Sequence, residues 1–312
     1  MKNIIISYSL FTPKKLHEDV RVWDPFISET RYWYNIPALV AINLMVYPNA
    51  SIWIYLPEDL IKHPLYEILE KLTEKFDALK LKFLSYSYQN TEPTLWRYKP
   101  VFDKLSDIVL CRDLDSVPNE MEICATQYFL EQPNYYLQTL RTHKNHIFPI
   151  TKILAGLSAY RPSKIDHIAN ISFNDFYFQF KSDLYGIDQQ SIIEIFTKDE
   201  EWTDKYFLDC PISTKQHKVG KPLIKCKSIE EKKFKKKVNI SHVSSELLFL
   251  LNETTIWGGE PIDFRGEKLE KLLSYNNLIT FKLKKVIMDC SNYTKNFYLN
   301  TSVIENIALN IG

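Results

Sequence analysis

The chain has 312 residues, 45% of them apolar and 25% charged, with a formal net charge of +1. That length can bury one large core. A nearly balanced charge argues against a dedicated nucleic-acid binder, which is plainly basic as a rule, so no nucleic-acid partner is expected. The opening MKNIIISYSLF is too short and lacks the small-residue cleavage site of a signal peptide. The most apolar stretch, IPALVAINLMVY, is about half a spanning length. A cytoplasmic protein is therefore expected.

Taken in chain order, NIIISY is a β-branched apolar run that fits a buried first strand. ETRYWYNIPALVAINLMVY has helical length and spacing, with Pro37 placed to kink or restart it. ASIWIYL predicts a second strand closed by Pro57. PLYEILEKLTEKF predicts a helix with Glu–Lys pairs on its outer face. LKLKFLSY alternates like a strand, TLWRYKPVFDKL reads as a helix, and DIVLC as a fourth strand. Strand and helix thus alternate through the first 110 residues or so, which predicts an α/β fold with a mainly parallel sheet covered by helices.

Beyond it come a helix (NEMEICATQYFLEQ), a less regular aromatic stretch, ITKILAGLSAYRP as strand or strand-turn, and a helix at DQQSIIEIF. The texture then turns lysine-rich. A boundary near residue 250 divides an expected main domain, 1–250, from a mixed α/β extension, 251–312. The five cysteines, Cys111, Cys124, Cys210, Cys226 and Cys290, hold no CxxC pair and read as reduced, mostly buried thiols. Asn-x-Ser/Thr triplets such as NIS and NET mean little without a secretory signal.

In a mainly parallel sheet, ligands bind at the carboxyl ends of the strands. IVLCRDLDS leads the fourth strand into Asp113 and Asp115 at that edge. If the segment stays extended, residues two apart face one side, so both carboxylates can reach one ion. Mg2+ or Mn2+ takes oxygen ligands, often one or two carboxylates completed by substrate phosphates. The bland alternative is a solvated loop with a local Arg112 ion pair of little energy.

CRDLDS, together with LWRYKPVFD, LRTHKNHIFPI, ILAGLSAYRP and YGIDQQSI in that order, resembles the metal-dependent nucleotide-sugar glycosyltransferases of the GT-A fold. The likeness covers roughly residues 1 to 200. Ala155 stands where the first glycine of a Gly-Gly pair would be, and Thr142 where an acid is often found. The resemblance implies a GT-A architecture and a sugar transferred from a UDP-sugar, or a GDP-sugar, to a glycan, lipid-linked or protein acceptor. A divalent cation, Mn2+ or Mg2+, would stabilise the leaving diphosphate.

On that resemblance Asp115 and Asp113 hold the ion, with Asp115 the direct ligand and Asp113 acting directly or through water or the ribose. His242 is the third ligand, and His217 its rival. Ser7, Tyr8 and Ser9 meet the base and ribose, with Tyr8 stacking on the base or simply packing in the core. Arg97 projects toward the phosphates or base, or is a surface arginine, and Arg112 contacts the sugar or positions Asp115. Arg141, His143, His146 and Gly156 line the donor-sugar pocket. Asp188 is a helix N-cap, a general base on the acceptor or a ligand of sugar hydroxyls, or cap and one of these in turn. The run KKFKKKV, containing Lys232 and Lys237, is a solvated loop, a peripheral membrane contact or a flap over the diphosphate.

Two other classes compete. A haloacid-dehalogenase-type phosphotransferase also leads a strand into Asp-x-Asp, but normally from its first strand and with a later aspartate pair, for which FLDCP is a poor substitute. A non-catalytic glycan-binding protein would keep the fold without the activity.

Overall fold

A computed structural model describes residues 3–12, 32–89, 91–141, 153–184, 186–211, 213–214, 217–218, 227–228, 238–243 and 248. The four apolar runs of the N-terminal half form strands Ile4–Ser9 (β1), Ala50–Pro57 (β2), Leu79–Leu84 (β3) and Ile108–Arg112 (β4). Helices Ile36–Val46 (α1), Tyr66–Lys75 (α2), Lys99–Phe102 (α3) and Glu120–Glu131 (α4) connect or follow them. The remainder adds β5 (Leu137–Arg141), β6 (Leu157–Tyr160), α5 (Phe173–Phe180), α6 (Ile187–Phe196), α7 (Glu200–Tyr206) and β7 (Phe207–Pro211). Three two-residue strands close the described part: β8 (Ser213–Thr214), β9 (His217–Lys218) and β10 (Lys227–Ser228).

Eight strands share one sheet in the order β10-β7-β5-β6-β4-β1-β2-β3. Its ladders are parallel except where β6 runs against both β4 and β5. The fold is therefore α/β, with the mainly parallel, helix-covered sheet that the resemblance implied. From β1 the chain steps outward to β2 and β3, then crosses back to lay β4 on the other side of β1. That reversal is a topological switch point, the place where open α/β sheets form a crevice beyond the carboxyl ends of their strands, here those of β1 and β4.

Side chains alternate along each strand, so every strand feeds two layers. Ile6, Tyr8, Ile52, Ile54, Ile108 and Leu110 pack with α1, α2 and α4. Tyr55, Val109, Cys111, Leu137, Tyr160 and Phe207 pack on the other face with residues 92–102, α5, α6 and α7. This parity decides which residues can meet at the crevice.

Several elements differ from expectation. Pro37 does not kink a long helix; it lies in the first turn of α1, after a 3-10 turn over Trp33–Asn35. There its missing N–H costs nothing. Residues 92–102 form a 3-10 stretch, Glu92–Tyr98, before α3, with prolines at the start of each. Strand β5 and helix α5 were hidden in aromatic and polar composition. The LQTLR of β5 is buried along its whole length, and several of its polar atoms find remote partners: Gln138 donates to the Ala125 carbonyl at 2.7 Å, and the Thr139 hydroxyl accepts from the Leu154 N–H at 3.0 Å.

Among the described residues no helix is long and apolar enough to cross a membrane. Cys111, Cys124 and Cys210 are buried free thiols, as expected. Cys226, Cys290, Lys232 to Lys237 and the whole of 251–312 lie outside the described residues, as does the boundary near 250.

Candidate functional site

Residues 92–98 cross the carboxyl edge of β1 and β4 and are pinned there by the strands. The Ser7 hydroxyl donates to the Arg97 carbonyl at 2.7 Å, and the Cys111 thiol reaches the same oxygen at 3.6 Å. Ser7, Ser9, Cys111 and Asp113 share one parity, so all project toward this layer. Fixing the Arg97 backbone over the crevice fixes its side chain as well. Its Nε donates to the Thr94 carbonyl at 3.1 Å and its Nη1 to the Arg112 carbonyl at 3.2 Å.

The same guanidinium holds two carboxylates. Nη1 donates to Asp113 Oδ1, and Nη2 lies 3.6 Å from Asp188 Oδ2. Asp188 comes from α6, where it is the second helical residue. The N-cap is Gly186, at φ +77, a left-handed conformation that glycine adopts without steric cost. Asp188 is therefore not an N-cap; its Oδ1 accepts from the Gln189 N–H at 2.9 Å and its other oxygen faces Arg97.

Asp113 is seated from the opposite side by Gly156. Arg112 pairs with Leu157 across the antiparallel β4–β6 ladder, which brings residue 156 beside residue 113. A Cβ at Gly156 would lie 1.8 Å from Asp113 Oδ2. Asp113 thus rests between a guanidinium and bare backbone, with 40% of its side chain exposed. The chain then turns: the Ser116 N–H reaches back to the Asp113 carbonyl at 3.4 Å. The extended geometry expected for Asp113–Asp115 is thereby lost. Asp115 is 4% exposed, in a different environment from Asp113.

Burial disfavours charge on Arg97, but Asp113 and then Asp188 more than offset it, so its pKa is raised and it stays cationic. Asp188 is pushed up from the usual carboxylate range by burial, with Arg97 pulling the other way. The Cys111 thiol, buried beside them, is pushed up to about 12 and is inert as a nucleophile at neutral pH.

Other expected site residues lie elsewhere. Arg112 points to the α4 layer, not to the sugar. Its Nε bonds Glu122 at 2.6 Å, and Nη1 donates to the Cys111 and Ser158 carbonyls, both at 2.8 Å. Tyr8 has the parity of that same layer, is 1% exposed, and its hydroxyl accepts from Asn43 at 3.0 Å. It is core, not a platform for a base. Ser7 is spent on the Arg97 carbonyl, as described. Ser9 ends β1 with its hydroxyl buried and without a partner among the described residues. Arg141 is fully buried and pairs through Nε and Nη2 with Asp209 of β7, the Nε contact being 2.8 Å, while its Nη1 has no partner among the described residues. It is a strut between β5 and β7. His143 and His146 lie outside the described residues.

His242 cannot be a third ligand here. Its Nε2 lies 3.0 Å from the Val46 carbonyl, at the end of α1 and just before β2 begins. That is the amino edge of the sheet, opposite Asp113. Of His217, only its place in β9 is described. Among the described residues no group of three or more His, Cys, Asp or Glu side chains assembles into a metal cage. The donor set still fits a hard cation of the shared kind, because such an ion takes one or two carboxylates and completes its shell from phosphates and water. Asp113 reaches solvent, and its Oδ2 is not the oxygen bonded to Arg97.

The bridging role of Arg97 and the acids Glu122 and Asp209 were not anticipated. Strand parity was the available signal: consecutive Arg112 and Asp113 must face opposite layers, so they cannot serve one ligand together. Parity likewise puts Arg141 and Asp209, on adjacent strands, on one face.

No family model and no curated protein matches this sequence. Solved structures do resemble the chain. A mannosyltransferase from Pyrobaculum calidifontis in complex with GDP-Man and Mn2+ aligns at 9% identity and TM-score 0.42, over 70% of this chain and 56% of that one. The WbbM bifunctional glycosyltransferase aligns at 11% identity and TM-score 0.45, over 93% and 52%. TarS of S. aureus, residues 1–349 with UDP, aligns at 13% and 0.41, over 62% and 55%. The chain spans about half the length of each.

Proposed function

We propose that this chain is a glycosyltransferase that moves a sugar from a nucleotide-sugar donor, a UDP-sugar or else a GDP-sugar, to a hydroxyl of a glycan, lipid-linked or protein acceptor. The single observation carrying the proposal is the joining of Asp113 and Asp188 through one buried guanidinium at the switch-point crevice of a mainly parallel sheet. Donor binding there agrees with the general preference of such sheets for nucleotides at that edge.

In the reaction the bond from the anomeric carbon to the diphosphate breaks, and the diphosphate leaves with the bonding electrons. A bond from the acceptor oxygen to the anomeric carbon replaces it, and the acceptor proton goes to a base. Asp188 is the base in this reading: its carboxylate is desolvated, which raises its proton affinity, and the α6 backbone orients one of its oxygens. Arg97 bridges Asp188 and Asp113 and holds both in place. Asp113 is the residue that would hold a divalent cation, since the turn takes Asp115 out of the extended pair, and such an ion would supply Lewis-acid stabilisation to the departing diphosphate. A hexosyl or deoxyhexosyl donor is the expected class.

The phosphotransferase alternative is not favoured. Its would-be nucleophile, Asp113, follows the fourth strand and is bound by Arg97, and its candidate later acid, Asp209, is buried against Arg141. The test is incubation with Mn2+ and a panel of UDP- and GDP-sugars, followed by assay of released nucleoside diphosphate. The proposal predicts slow metal-dependent release from at least one donor. Inorganic phosphate from phosphomonoesters would support the phosphotransferase instead, and neither product would support a binding protein.

A further inference from the structure

Arg97 presents a problem for a cation site. It is 5% exposed and anchored at four points: the Thr94 carbonyl, the Arg112 carbonyl, Asp113 and Asp188. A side chain so held does not swing away when a ligand arrives. Any divalent ion that binds Asp113 must therefore sit within a few ångströms of a permanent positive charge, beside a carboxylate that charge already neutralises.

Simple electrostatics indicates the sign and scale. Even in a water-like dielectric, a unit charge about 5 Å from a divalent ion shifts its affinity about tenfold, and a drier site shifts it more. The same charge attracts a diphosphate. Arg97 thus acts on the two ligands in opposite senses.

We propose that Arg97 is the site's resident cation, a fixed positioning residue that holds Asp113 and Asp188 in the free chain, suppresses binding of the bare divalent ion, and favours an ion that arrives with a nucleoside diphosphate. This rests on the donor reading above and adds an order to it: the nucleotide brings the negative charge that makes the ion's place tolerable. The arrangement keeps the carboxylates from being filled by whatever divalent ion is in solution, and makes occupancy depend on donor.

The experiment measures the two ligands separately. Binding of Mn2+ alone is followed by loss of the free-ion electron paramagnetic resonance signal, and binding of UDP or GDP alone in metal-free buffer by titration calorimetry. These are compared in the wild type, Arg97→Met and Arg97→Lys. Arg97→Met is expected to bind Mn2+ alone about tenfold more tightly and the nucleotide alone about tenfold more weakly. Arg97→Lys, which keeps the charge, is expected to stay near the wild type for Mn2+. If Arg97→Met fails to fold, Arg97→Gln keeps polar contacts to its neighbours without the charge and gives the same opposed shifts. A merely structural role for Arg97 would weaken both ligands together, and that result, or unchanged Mn2+ affinity in the neutral variants, overturns the inference alone. Failure of the wild type to bind either nucleotide with Mn2+ present would overturn the donor reading and this inference with it.

Discussion

Gly156→Ala is the sharpest perturbation of the site, because its effect is set by one distance. The added methyl would lie 1.8 Å from Asp113 Oδ2, whereas ordinary contact begins near 3.4 Å. The carboxylate has to shift by roughly 1.5 Å, and with Arg97 closing the opposite side it can do so only by rotating out of its contact with the guanidinium. A hydrogen bond to a charged group is worth about 1.5–3 kcal/mol. Asp113 is 40% exposed, so solvent screening brings the expected loss down to about 1–2 kcal/mol. That corresponds to a fall of a few degrees in the melting midpoint. The effect on binding is larger in kind, since the displaced carboxylate is the one assigned to the ion, and affinity for UDP or GDP with Mn2+ should drop about tenfold or more. Thermal melting and titration calorimetry read the two quantities. Gly186→Ala is the control: at φ +77 it carries a backbone cost of about 1–2 kcal/mol, but nothing lies within 4 Å of the new methyl. A Gly156→Ala protein indistinguishable from the wild type in both melting and binding would refute the packing of Asp113 against β6.

Three further outcomes follow from other parts of the molecule. Asp209→Ala removes the carboxylate that faces Arg141, leaving a fully buried guanidinium without its counter-ion, and urea denaturation should show a loss of about 3–5 kcal/mol. His242→Ala should leave the affinity for nucleotide and Mn2+ unchanged by calorimetry, because the imidazole sits against the Val46 carbonyl at the opposite edge; a large loss would return it to the site. Asp175 accepts from the Ser172 hydroxyl and N–H in a capping box that starts α5, and these bonds hold its pKa below the usual aspartate value. A depressed carboxylate stabilises the fold above its unfolded pKa, and that contribution disappears as pH falls through the folded value. Carbon-detected NMR titration should therefore show Asp175 moving back up in Ser172→Ala.

Much of the fold was legible because the first four strands are short apolar or alternating runs separated by segments of helical spacing, a pattern that needs no tertiary context. Burial by remote pairing was not legible. The sequence of β5, LQTLR, looks like a polar segment, and only the Ala125 carbonyl, the Leu154 N–H and Asp209 make it a core strand. Helix α5 was hidden in FNDFYFQF, where buried Phe173, Phe176, Tyr177 and Phe180 lie among exposed residues at helical spacing. Its capping box was the signal in plain view. At the site, motif spacing located Asp113, Arg97, Gly156 and Asp188, which the structure brings to one crevice. It misassigned Arg112 and Tyr8, because a residue one position away on a strand belongs to the other face. His242 was misplaced for a different reason: a late histidine's position depends on where the chain returns, and here that is the amino edge of the sheet.

The central claim is that the carboxyl edge beyond β1 and β4 takes a nucleoside diphosphate together with a divalent ion held by the Asp113 carboxylate. A crystal of this chain soaked with Mn2+ and UDP or GDP, with data collected at the manganese edge, tests it most directly. The account predicts an anomalous peak beside the Asp113 carboxylate, at about 2.0–2.2 Å from an oxygen ligand, with the diphosphate on its far side. A peak at another place, or nucleotide bound with Asp113 taking no part, would contradict it.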